Sequence, residues 1–157
     1  MDGFGSRLAA RFKKAVEREE ATRRREQEER QRVLDEGRAA RERLLAELAA
    51  MGRAIGVVTV TLDDVALTLG LGARKLRFTR DGDGERVRLA WEGMADGEEH
   101  WLYRQAELGS RWVYARRRRG REDRVPLLDQ GLEELLVKVL GLPAPGDLDS
   151  GDSGRNL

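Results

Sequence analysis

Two alternating runs joined by a turn constrain this chain more than any other feature. Lys75-Leu76-Arg77-Phe78-Thr79-Arg80 alternates polar and apolar residues, and Glu85-Arg86-Val87-Arg88-Leu89-Ala90-Trp91 does the same. Side chains of a strand point alternately to its two faces, so each run puts its apolar residues on one face. Asp81-Gly82-Asp83-Gly84 lies between the runs, and Asp-Gly is the chemistry that closes tight hairpins. His100–Gln105 and Arg111–Arg119 follow as further runs, with Leu108-Gly109-Ser110 between them. The pattern predicts an antiparallel β-meander of four to six strands. With a long N-terminal helix and one C-terminal helix packed on the sheet, the fold class is α+β.

Residues 6–55 read as a long helix, with Ser6 as its cap. They contain no proline and are rich in Ala, Leu, Glu, Arg, Lys and Gln, the strong helix formers. Phe4, Leu8, Phe12 and Val16 recur at steps of four and form one apolar stripe, flanked by Arg7, Arg11, Lys13 and Lys14. From Glu17 to Arg32 the only apolar residue is Ala21. Glu19/Arg23, Glu20/Arg24, Glu26/Arg30 and Glu28/Arg32 stand at i,i+4 in the favourable order, each worth about 0.2–0.5 kcal/mol. A coiled coil needs apolar positions sustained over several heptads, which this charged stretch lacks. The second half of the arm offers about two heptads, Leu44, Leu48, Met51 and Ile55, a face for the sheet or for a second copy in a homodimer. Gly37 reads as a bend, and Gly52 and Gly56 as stop signals.

Residues 57–72 carry two readings. Val57–Leu62 is β-branched and strand-like, and Val65–Gly70 would then pair with Lys75–Arg80 across Leu71–Arg74. In the rival reading Thr61 and Asp64 approximate a capping box, and residues 61–78 form a helix-turn-helix-like segment. The alternation of Leu76 and Phe78 with Lys75, Arg77 and Thr79 favours the strand. Asp129 is set to cap a last helix, Gln130–Leu140, whose apolar face is Leu132, Leu135, Leu136, Val139 and Leu140. Gly141 and Pro143 stop it. The organisation is therefore a helical arm over 1–55, a sheet domain over 56–142 and a disordered tail over 143–157.

Charged residues make up 38% of the chain, yet 30 basic and 29 acidic residues nearly cancel to +1. The overall balance selects no partner, so local blocks carry the argument. The absence of cysteine excludes disulfides, thiolate metal sites and cysteine nucleophiles. No apolar run approaches the roughly 20 residues that span a bilayer, and the first residues hold no signal-peptide apolar core. Cytoplasmic residence is the expectation, and a membrane partner is not.

Five constellations bear on chemistry. Arg116, Arg117, Arg118, Arg119 and Arg121 form a basic run whose guanidinium groups suit phosphate oxygens, as in nucleic acid, or else solvate a strand end. Trp101, Tyr103, Trp112 and Tyr114 fall on one parity if the strands align simply. They then make a stacking platform or, more commonly, a core. Asp81–Glu85 with Glu92 superficially matches a calcium loop, but Arg86 stands where that loop needs glycine. His100 beside Glu98 and Glu99 is far short of a metal site, and no serine is marked as a nucleophile. Leu8, Phe12 and Val16 form a docking stripe for a partner's groove. The sequence thus predicts no metal, no cofactor and no enzyme. It predicts a non-enzymatic interaction or adaptor module whose arm presents a small sheet domain to a protein partner. The alternative is a nucleic-acid binder using residues 116–121, with the 61–78 segment.

Overall fold

The alternating runs around Asp81–Gly84 pair as neighbouring antiparallel strands, with Leu76 opposite Trp91, Phe78 opposite Leu89 and Arg80 opposite Val87. The computed structural model describes residues 2–105, 111–125 and 128–145. The turn expected at Leu108–Ser110 and the tail from residue 146 onward lie outside them. The chain divides into two units, Met1–Glu36 and Gly37–Leu157. The elements are α1 (Asp2–Ile55), β1 (Thr59–Leu62), β2 (Ala66–Leu71), β3 (Arg74–Asp81), β4 (Arg86–Trp91), β5 (Glu99–Gln105), β6 (Arg111–Arg118), β7 (Arg121–Val125) and α2 (Leu128–Leu135). α2 passes directly into a π-helical turn, Leu136–Leu140.

All seven strands form one sheet in sequence order, each pair antiparallel. The expected range of four to six is exceeded because the basic run folds back on itself. Arg119 and Gly120 both take positive φ, 52° and 76°, and close a tight hairpin between β6 and β7. Two left-handed residues are what a hairpin of this kind needs, but arginine rarely supplies one, so the turn carries no sequence signal.

The helix-turn-helix reading of 61–78 is overturned. Leu67 pairs with Phe78 and Leu69 with Leu76, so these residues are strands. The apparent capping box is a turn: the Asp63 carboxylate accepts from the backbone N–H groups of Val65 and Ala66, at 2.8 and 2.9 Å, and so joins β1 to β2. An aspartate can satisfy amides this way in a turn as readily as at a helix start.

One face of the sheet carries the core. Leu67, Leu69, Leu76, Phe78, Val87, Leu89, Leu102 and Tyr114 pack with Leu44, Leu45, Leu48 and Ala49 of α1 and with Leu132, Leu135, Val139 and Leu140. Leu44 and Leu48 are therefore buried inside this chain, while Met51 is half-buried and Ile55 exposed at the edge. Two glycines let the helices approach. A Cβ on Gly131 would meet the Tyr114 side chain at 3.3 Å. A Cβ on Gly52 would lie 2.8 Å from Val60 and 2.9 Å from Leu69.

Gly52 is thus a contact point within α1 rather than its stop; the helix ends at Ile55, and Gly56 leaves it with φ 85°. α1 starts at Asp2, ahead of Ser6, and Gly37 lies within it. Asp129 lies inside the first turn of α2, not before it.

Polar contacts fix α1 to the β3–β4 hairpin. Arg41, only 5% exposed, donates from Nη1 to the carbonyls of Asp81, Gly82 and Arg86 at 3.4, 3.1 and 3.2 Å. Arg38 donates to Asp83 O at 2.8 Å. Arg80 grips Glu42 with two bonds of 2.6 and 2.8 Å and reaches Asp63 O at 2.6 Å.

Gly52→Ala tests the close approach. In an open helix this change gains about 1 kcal/mol of propensity. Here overpacking against Val60 and Leu69 costs about 1–3 kcal/mol, so chemical denaturation should register a net loss. A gain would mean that the helix and sheet have room to separate.

Candidate interaction surfaces

The basic hairpin is built by register. Arg116 faces Asp123, Arg117 faces Glu122 and Arg118 faces Arg121 across β6–β7. Arg116 approaches Asp123 at 3.6 Å, Arg117 approaches Glu99 at 3.9 Å, and Arg124 bonds Glu122 at 3.2 Å. Arg118, Arg119 and Arg121, at the tip, have no carboxylate within salt-bridge reach among the described residues. Of the five arginines marked in the sequence, two have a carboxylate partner and three have none among the described residues. The Arg118/Arg121 pairing sets like charges directly opposite, which is unfavourable in a sheet. Arg119 adds the left-handed backbone penalty, about 1–2 kcal/mol for a residue with a Cβ.

The sheet face turned away from the core extends this charge. Arg88 pairs with Trp101, Trp101 with Ala115, and Ala115 with Arg124. The Arg86 and Arg117 guanidiniums sit 4.8 and 5.5 Å from the Trp101 ring centroid, and Arg124 is 5.7 Å from that of Tyr103. Sequence reading counted Arg124 with the basic run but missed Arg86 and Arg88, which lie far from it in the chain. Only the register gathers them; their shared parity within alternating strands was the available signal. The single-face aromatic platform is corrected by the same register. Leu102, not Trp101, lies opposite Tyr114, so Trp101 and Tyr103 take one face while Trp112 and Tyr114 take the other. Tyr114 is core, and Trp112 is partly buried against it.

His100 is not a ligand but the centre of a buried polar chain. It is 2% exposed, its Nδ1 accepts the Tyr114 hydroxyl, and its Nε2 donates to Glu98 Oε1 at 2.6 Å. The neutral Nε2–H tautomer satisfies all three groups at once. Trp91 closes on it, with ring centroids 4.4 Å apart. Burial lowers the His100 pKa below its ordinary 6.5, against the opposing pull of the Glu98 hydrogen bond and charge. Burial pushes the Tyr114 hydroxyl up to about 12. Burial would raise the Glu98 carboxyl, but the His100 hydrogen bond and nearby positive charge outweigh it, and its pKa falls. No group of three or more metal-ligating side chains occurs among the described residues. The carboxylates of Asp81 and Asp83, which a calcium loop would have used, lie 3.5 Å from Arg86 and 4.0 Å from Arg38 instead.

In the unit Met1–Glu36 the helix offers Phe4, Leu8, Phe12 and Val16 to solvent, with Phe4 68% and Phe12 64% exposed. Arg23 bonds Glu19 at 2.6 Å in the expected i,i+4 order, whereas Arg32 takes Glu29 at i,i+3. Val33 and Leu34 are also exposed. No helix is long and apolar enough to cross a membrane among the described residues.

No family model, no curated protein and no solved structure matches this chain.

The lowered His100 pKa has a signed consequence. Below 6.5 the unfolded chain binds a proton that the folded chain resists, so stability falls as pH drops through 6.5 toward the folded value and is fully present above 6.5. Denaturant midpoints between pH 7 and pH 5 should decline for the wild type and flatten in His100→Gln. Losses from Glu98 and Glu42, whose pKa values are lowered, begin only below their ordinary 4.5. Equal slopes in both proteins would remove His100 as the cause.

Proposed function

We propose that this protein is a non-enzymatic interaction module whose N-terminal helix docks its apolar stripe into a groove on a protein partner. The observation that carries the reading is the exposure of Phe4, Leu8, Phe12 and Val16 on a helix stabilised by its own charge pairs. A helix that needs no packing to persist, yet displays two phenylalanines, is suited to a helix-in-groove contact. Residues 3–16 hold Arg7, Arg11, Lys13 and Lys14 and no carboxylate, so the matching groove is apolar with an acidic rim. Steps of four advance the stripe by about 40° per turn, which suits a short groove better than a long coiled coil. Leu44 and Leu48 serve this chain's own core, which leaves only Ile55 and part of Met51 of the four dimer-face residues for a second copy. The absence of cysteine accords with a reducing compartment, and this reading keeps the cytoplasm.

A photo-crosslinking side chain at position 8 of the full chain, introduced in the native cell, should trap one discrete partner. Burying a phenylalanine contributes about 1.5–3 kcal/mol, so Phe4→Ser with Phe12→Ser should weaken that partner's binding 100-fold or more. An adduct that survives both substitutions refutes the docking stripe.

A second reading rests on Arg118, Arg119 and Arg121, which have no carboxylate partner among the described residues at a strained hairpin tip and suit the phosphates of nucleic acid. Gel-shift titration at two salt concentrations tests it. Replacing the three with alanine should flatten the log–log salt slope on duplex DNA by about 2–3. No retardation at low salt eliminates this reading.

A further inference from the structure

A pocket of about 360 Å³ opens where the β2–β3 turn, the end of β4 and the π-helical turn meet. Its lining includes Arg74, Lys75, Trp91, Glu92 and Lys138. The volume falls within the range of about 300–1,000 Å³ that small-molecule sites occupy. Three cations against one carboxylate leave it positive. None of the three has a hydrogen-bond or salt-bridge partner among the described residues.

The cations are not merely loose surface groups. A Cβ on Gly141 would lie 2.4 Å from Nη1 of Arg74, so the guanidinium lies across the bare backbone that ends the helix. Gly141 has φ 75°, and its N–H closes on the carbonyls of Leu136 and Val137. Lys138 belongs to the π-helical turn and holds its Nζ 5.8 Å from the centroid of the Trp91 ring. Turns of this kind are rare and recur at functional sites. Trp91 is half-buried, and its ring contacts His100 behind it, which fixes its place. The pocket therefore joins a half-buried aromatic surface to cations that have no hydrogen-bond partner among the described residues, with Glu92 as the acidic residue of its lining and Glu98 near enough to Lys138 to feel its charge.

We propose that this pocket binds a nucleoside phosphate. Arg74 and Lys138 take the phosphate oxygens, where guanidinium and ammonium groups form charge-assisted hydrogen bonds. Trp91 offers its ring to the planar base, and Glu92 accepts from ribose hydroxyls. The site shares no residue with the helix stripe or the Arg118–Arg121 tip and does not depend on either reading of function.

Titration of the full chain with adenosine monophosphate, read by calorimetry and tryptophan fluorescence, tests the proposal. Saturable binding at one site per chain is expected. Losing one charge-assisted contact should weaken it about tenfold, in Arg74→Gln and in Lys138→Gln alike. Trp91→Phe should weaken it by a smaller factor, and adenosine or inorganic phosphate alone should each bind at least about tenfold less tightly. Arg118→Gln, on the hairpin, should bind as the wild type does. Arg74 and Lys138 are exposed, so thermal unfolding of these variants should match the wild type and exclude misfolding as the cause. Absence of saturation at millimolar ligand overturns the proposal. So does an equal loss in Arg118→Gln, which would mean unspecific charge attraction, or phosphate binding as tightly as the nucleotide, which would remove the ring from the site.

Discussion

A buried guanidinium holds the sheet domain together at its centre. Arg41 leaves water to fill the mouth of the β3–β4 hairpin, and its Nη1 meets three backbone carbonyls there. Its Nε finds no partner. Burial lowers its pKa, with the nearby Arg80 and Arg38 charges adding to the effect and Glu42 opposing it. Desolvating a charge costs several kcal/mol unless it is well bonded, so this contact is favourable only in one geometry. That geometry requires the helix turn around Arg41 and the Asp81–Gly82 corner to meet in one register. Arg38 and Glu42 reinforce the same alignment from either side. The apolar contacts of Leu44, Leu45 and Leu48 then fall onto Leu67, Leu69 and Phe78 without a competing slip.

From that alignment follows a division of the sheet. One face is spent on the core under α1 and α2. The other gathers Arg86 of β4 and Arg117 of β6 over Trp101, and Arg124 of β7 over Tyr103. Carboxylates from neighbouring strands neutralise part of that charge, as Asp81 does for Arg86 and Glu99 for Arg117. Among the cations without a carboxylate partner among the described residues are those of the hairpin tip and of the Arg74/Lys138 pocket. These sites differ in kind. The tip is a convex cluster of cations and fits an extended polyanion, whereas the pocket is concave and includes an aromatic wall, which suits a small ligand.

The buried chain Glu98–His100–Tyr114 shows how a polar group is admitted to such a core. Every member has a partner, and a neutral imidazole bridges an ionised carboxylate and a phenol. Gly131 allows α2 to lie on the Tyr114 ring. Trp91 packs on His100 and also lines the pocket, so one ring belongs to both environments.

Much of this architecture is written locally. The period-two runs at Lys75–Arg80 and Glu85–Trp91, the Asp-Gly turn and the helix-forming first 55 residues each encode their own conformation, because side-chain spacing and backbone preference act over a few residues. They determined the α+β class, the central hairpin and the exposed stripe of Phe4 to Val16. The seventh strand was illegible because Arg119 adopts a backbone conformation that its own chemistry disfavours. Thr61 and Asp64 misled in the opposite direction, since their spacing approximates a capping box while the neighbouring Asp63 carboxylate makes the turn. The sites are still less local. Arg74, Trp91 and Lys138 come from three separate elements, and Arg86 and Arg117 meet over Trp101 only through the pairing of β4, β5 and β6. Register and helix docking are settled by which distant surfaces pack best, and that information lies in no single stretch of the chain.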